Sequence, residues 1–109
     1  MEITFENRET GTLVLVTGRM DAVTAPQFEK DCVAVIEAGA KLMVVDLSQL
    51  DYISSAGLRS ILASAKKIKS TGGTMKFCGL SGMVEEVFQV SGLGTMFATT
   101  ATADEAFGA

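Results

Sequence analysis

The chain has 109 residues and a net charge of −4, with 48% of its residues apolar and 20% charged, the composition of one ordered globular domain. Its Lys and Arg residues form no cluster dense enough to track a phosphate backbone, which argues against nucleic acid as a direct partner. The complete lack of histidine removes Ser-His-Asp and Cys-His nucleophile pairs, His-bearing zinc sites and phosphoryl transfer through imidazole.

In chain order, Ile3-Thr4-Phe5 and Thr12–Thr17 predict two strands, joined as a hairpin by the polar link Asn7–Gly11. Gly18 is expected to break the second strand. Thr24 can cap the helix that follows, with Gln27 completing a capping box and Pro26 harmless in the first turn. Phe28, Cys32, Val35 and Ile36 supply its buried stripe, and Gly39 ends it. Leu42–Leu47 is apolar on both alternating faces apart from Asp46, as in a strand covered on both sides.

Asp51–Leu58 then reads as a turn, opening a helix at Ser54 or Ser55 whose stripe is Leu58, Ile61, Leu62, Ala65 and Ile68. Lys66, Lys67 and Lys69 suit its carboxyl end, and Gly72-Gly73 stops it. Met75–Cys78 is the next strand. Ser81 can cap a third helix with Val84, Val87 and Phe88 inward and Ser91-Gly92 closing it. Met96–Thr99 fits either an edge strand or an extended segment, and Thr102 with Glu105 has the form of a capping box for a short last helix. The pattern predicts a single α/β domain over 1–109, with a mixed sheet of four to five strands opening on a hairpin and about four helices.

The stretch that draws attention is the serine turn. A helix start leaves N–H groups without partners and carries partial positive charge, so a hydroxyl there is well placed to become a phosphate. Capping alone accounts for one serine, at about 1 kcal/mol over Ala. Two serines followed by Ala56 and Gly57 leave the turn uncrowded and open to a second protein. Asp21, at a strand end ahead of the first helix, is a candidate partner contact or a helix-starting residue. Asp46 ends an apolar strand and is expected to bond free N–H groups of the serine turn, supporting it. Asp51 reads as a turn residue.

Cys32 and Cys78 are far apart in apolar segments and read as reduced core thiols. No basic patch followed by an apolar stretch opens the sequence, and no run approaches the ~20 apolar residues of a membrane span. The expectation is a soluble cytoplasmic protein without membrane insertion, cofactor or metal. A serine hydrolase would have only carboxylate or lysine as its base.

Val44-Val45-Asp46-Leu47 followed by Ile53-Ser54-Ser55-Ala56-Gly57-Leu58 resembles the signature of the STAS domain, in particular of bacterial anti-sigma-factor antagonists. Gly18-Arg19-Met20-Asp21 ahead of Thr24-Ala25, Gly72-Gly73, Val90-Ser91-Gly92-Leu93 and Asp104-Glu105-Ala106 follow in family order. The resemblance implies a protein, not an enzyme, that binds a cytoplasmic anti-sigma factor, often a serine kinase, and thereby frees a sigma factor. It implies phosphorylation at Ser55, with Ser54 the alternative acceptor, reversal by a phosphatase, and a monomer when free. Partner contacts are expected at Asp21, Ser54, Ala56, Gly57 and Leu58. Many relatives carry Asp directly before the acceptor serine, where this chain has Ser54. A constitutive adaptor subunit of a transporter or larger signalling complex is the rival within the same fold.

Overall fold

The computed structural model describes residues 1–108. Its strands are β1 (Glu2–Arg8), β2 (Gly11–Met20), β3 (Leu42–Ile53), β4 (Thr74–Cys78) and β5 (Thr99–Thr100). Three longer helices, α1 (Ala25–Glu37), α2 (Ser55–Ser70) and α3 (Gly82–Ser91), precede two single-turn helices, α4 (Leu93–Met96) and, after β5, α5 (Ala103–Ala106). The strands lie side by side in the order β1-β2-β3-β4-β5, antiparallel in the opening hairpin and parallel thereafter. This is the expected α/β architecture.

A strand order that advances in one direction, with crossovers of one hand, carries the connecting helices to one face of the sheet. That face holds the main core. Val14, Val16 and Met20 of β2, Met43, Val45 and Leu47 of β3 and Phe77 of β4 meet Phe28 and Ile36 of α1, Ile61 and Ile68 of α2 and Phe88 of α3. The opposite face has a smaller cluster in which Val44 and Cys78 are covered by Ala106 of α5.

Three strands run further than their patterns predict. β1 extends to Arg8, which pairs with Gly11, so Asn7, Arg8 and Gly11 belong to the hairpin's strands and only Glu9 and Thr10 link them. β2 continues through Gly18, which takes φ +100°, a left-handed conformation open to glycine, and pairing resumes to Met20 opposite Ile53. β3 continues past Leu47 to Ile53, so Asp51 is a strand residue and not part of a turn. The reason lies in the register. Between Leu15↔Asp46 and Thr17↔Gln49, one residue of β2 faces two of β3, and a second extra residue enters between Gly18↔Leu50 and Arg19↔Tyr52. Each is a bulge. The β3 residues that face the main core accordingly fall at Met43, Val45, Leu47, Leu50 and Ile53, in steps of two and then of three.

The first bulge also explains Asp46. Its Oδ1 accepts from the Ser48 N–H at 2.9 Å, satisfying a backbone donor that the bulge releases. The expected bond to the serine turn is replaced by this local one. On α2, Leu62 is 38% exposed instead of buried, while Ser60 and Ser64 are buried. Ser64 donates to the Ser60 carbonyl at 2.9 Å, and these small residues belong to the side of α2 that meets α1. Burial pushes the nearby Cys32 thiol up to about 12 and the Cys78 thiol to about 11, as expected for inert core cysteines. Near the carboxyl end, Met96 closes a helical turn and the edge strand forms at Thr99–Thr100 instead.

Candidate functional site at the carboxyl end of the parallel strands

With both bulges in place, β2 and β3 end level, and the Ser54 N–H donates to the Met20 carbonyl at 2.9 Å. Helices α1 and α2 start from these adjoining tips. The carboxyl ends of parallel strands are where α/β sheets bind what they recognise.

At the first tip, Asp21 Oδ1 accepts from the N–H groups of Val23 at 3.0 Å and Thr24 at 3.1 Å. Thr24 Oγ1 donates to the Arg19 carbonyl at 2.8 Å and accepts from the Asp21 N–H at 2.9 Å. The predicted Thr24–Gln27 box is therefore absent, because Asp21 takes the capping role one turn earlier and engages Thr24. The bonds from the Thr24 and Val23 N–H groups hold the Asp21 carboxyl below its ordinary value of 3.8, with the Arg19 charge helping. Arg19 itself lies 4.2 Å over the Tyr52 ring, its cross-strand partner.

At the second tip, Ser54 is the N-cap. Its backbone is extended, its Oγ accepts from the Gly57 N–H at 3.2 Å, and its carbonyl takes the first helical bond from Leu58 at 2.9 Å. Ser55 is the first helical residue. It is exposed, and its hydroxyl has no hydrogen-bond partner among the described residues. Whichever serine opened the helix was undetermined from pattern alone; the structure gives the cap to Ser54 and leaves Ser55 over.

Gly57 corrects an expectation. It is buried, and a Cβ there would stand 2.8 Å from Ile53 Cγ1 and 3.0 Å from the Met20 carbonyl oxygen. Its smallness serves the seating of α2 on the strand tips and offers no surface to a partner. Ala56 and Leu58 are half-buried. Leu58 lines an open groove of about 400 Å³ with Met83, Val87 and Val90 of α3. Val90 is 85% exposed and Val23, in the loop after β2, 86%. Val23, Met83 and the outward face of Val90 are not singled out by the sequence pattern, whereas Leu58 and Val87 are. Met83 and Val90 lie seven apart and off the Val84–Phe88 stripe, and that second apolar line was the available signal.

The STAS domain family model matches residues 2–106, nearly the whole chain. The chain belongs to the STAS-domain family of anti-sigma-factor antagonists. It is 35% identical over 97 residues to a putative anti-sigma factor antagonist, BtrV, of Bordetella bronchiseptica, spanning 89% of this STAS chain and 84% of that protein. An anti-sigma factor antagonist from Mycobacterium paratuberculosis superposes with a TM-score of 0.87 at 27% identity, covering 96% of this chain and 89% of the other. SpoIIAA, an anti-sigma factor antagonist solved in unphosphorylated and phosphorylated forms, shares the fold with TM-scores of 0.83 and 0.75. These two comparisons cover 96% of this chain in each case, and 92% and 96% of SpoIIAA, at 23% and 22% identity. Among the described residues, no group of three or more Cys, Asp or Glu converges as a metal site, and no helix is long and apolar enough to cross a membrane.

Proposed function

We propose that this STAS domain is an anti-sigma-factor antagonist that binds a cytoplasmic anti-sigma factor, itself a serine kinase, and is switched off by phosphorylation of Ser55. The observation that carries this reading is the division of labour between the serines. Ser54 spends its oxygen on the Gly57 N–H, whereas Ser55 stands exposed with a free hydroxyl. In the transfer, Ser55 Oγ bonds to the γ-phosphorus of a nucleoside triphosphate held by the kinase. The hydroxyl proton passes to a base of the kinase, and nucleoside diphosphate leaves. A phosphatase reverses the modification by hydrolysis. The domain is the substrate of both reactions and catalyses neither.

Ala56, Leu58, Val23 and the α3 side chains Met83 and Val90 supply the apolar docking face, and Ser54 and Asp21 hold its edges by capping the two helices. A phosphate adds about −1.5 to −2 charges in the middle of that contact. The start of α2 tolerates an anion, so the fold persists, but the partner would have to bury an unmatched charge. By analogy with uncompensated buried charges this costs about 3–5 kcal/mol, a loss of roughly a hundred- to several-thousand-fold in affinity.

Intact-mass analysis of protein isolated from its own cells, with site mapping, should find one phosphate, on Ser55. In binding assays Ser55→Asp should release the partner and Ser55→Ala should hold it. Equal binding by both variants and the wild type would remove Ser55 from the switch and leave a constitutive adaptor.

A further inference from the structure

Helix α2 is unusual in its charge. Its sequence Ser55–Ser70 contains Arg59, Lys66, Lys67 and Lys69 and no Asp or Glu. Three other helix starts are supplied with acid: Asp21 lies just ahead of α1 and bonds the Val23 and Thr24 N–H groups, Glu85 lies in the first turn of α3, and Asp104 and Glu105 in that of α5. Among the three longer helices, α2 alone has no carboxylate in its first turn or bonded to N–H groups at its start; the single-turn α4 lacks one too.

Arg59 stands one turn into this helix, exposed, and joins no ion pair among the described residues. Its neighbours three and four positions away along the helix are Ser55, Ala56, Leu62 and Ala63, all neutral. Residues four apart on a helix have Cβ atoms about 5–6 Å from one another, and an anion placed N-terminal to a cation at this spacing is the favourable order. Of these four neighbours, Ser55 and no other carries a group that can become anionic.

We propose that Arg59 is the receptor, within the domain itself, for a phosphate on Ser55. Phosphorylation then closes an ion pair along α2. One guanidinium offsets only part of the phosphate's charge of about −1.5 to −2, so a net anion still remains on the docking face. The inference rests on the reading of Ser55 as the modified residue and adds the residue that reads its state.

The test uses the full-length protein with phosphoserine inserted at position 55 during translation, carrying Arg, Lys or Gln at position 59. Phosphorus NMR titration follows the second ionisation of the phosphate, which lies near ~6 when unpaired. With Arg59 this ionisation should fall about 0.15–0.4 pH units lower than in Arg59→Gln, the difference expected of a helical ion pair. Arg59→Lys should retain most of the lowering, and about 1 M salt should remove most of it. Equal values in the three proteins at low salt would overturn the proposal. Because no kinase is needed, the two readings fail separately. Native protein that never carries phosphate would sink the functional reading and leave the Arg59 measurement standing.

Discussion

The two helix starts at the tips of β2 and β3 are built on one plan and finished differently. Each follows a parallel strand, and the Ser54 N–H bonds the Met20 carbonyl to tie the two tips together. At the start of α1, one Asp21 oxygen takes two backbone N–H groups and Thr24 Oγ1 bonds on both sides. At the start of α2, Ser54 does the capping alone and the next residue, also a serine, contributes nothing to it. A structural start uses its polar side chains on itself. The second start carries one hydroxyl more than the fold requires, and a surplus polar group in an exposed position is free for another molecule.

That contrast can be broken by mutation. The largest effect on stability is expected at Gly57, where Ala would force its Cβ against Ile53 and the Met20 carbonyl. Overpacking of this kind costs about 1–3 kcal/mol, more than the helix propensity Ala returns. Urea unfolding should show the loss, and an unchanged midpoint would mean that α2 does not seat on Met20 as described.

Next come the two serines, measured against each other. Ser54→Ala removes the cap and should lower stability by about 1 kcal/mol, whereas Ser55→Ala should stay within about 0.5 kcal/mol of wild type. Equal losses from both would erase the distinction between a capping and a surplus serine.

The smallest effect separates the starts by pH. The folded-state pKa of Asp21 is lowered, chiefly by the Thr24 and Val23 N–H groups, so its contribution is fully present above the ordinary value of 3.8. It is lost as the pH falls below 3.8 and through the lower folded value. Stability measured across this acid range should show the advantage of wild type over Asp21→Asn shrinking toward zero. The Ser54 cap has no titrating group, so the difference between wild type and Ser54→Ala should stay flat over the same range.

Much of this arrangement was legible in the chain alone. Helical stripes such as Phe28–Cys32–Ile36 and Ile61–Ala65–Ile68 repeat within a few residues, and burial followed them. Thr102 does cap Glu105, at 3.3 Å, as the short motif predicts. The family signature and the position of the serine turn were legible for the same reason, since both are contiguous words in the sequence.

What escaped depended on a partner strand. The end of β3 was lost because its inward residues change from steps of two to steps of three after Leu47, and only pairing with β2 reveals that change as two bulges. Asp46 bonds the Ser48 N–H and not the serine turn, and the donor that the first bulge releases is invisible without the register. Leu62 fits the helical stripe yet is exposed, because one helix's periodicity does not say where its neighbour lies. The amino-acid order by itself determined the elements, their stripes and the presence of two adjacent hydroxyls, all properties of short-range spacing. Only the tertiary structure decided that Gly57 faces inward and that Ser54 is the serine held in place, because both follow from where α2 meets the tips of two strands that lie far away along the chain.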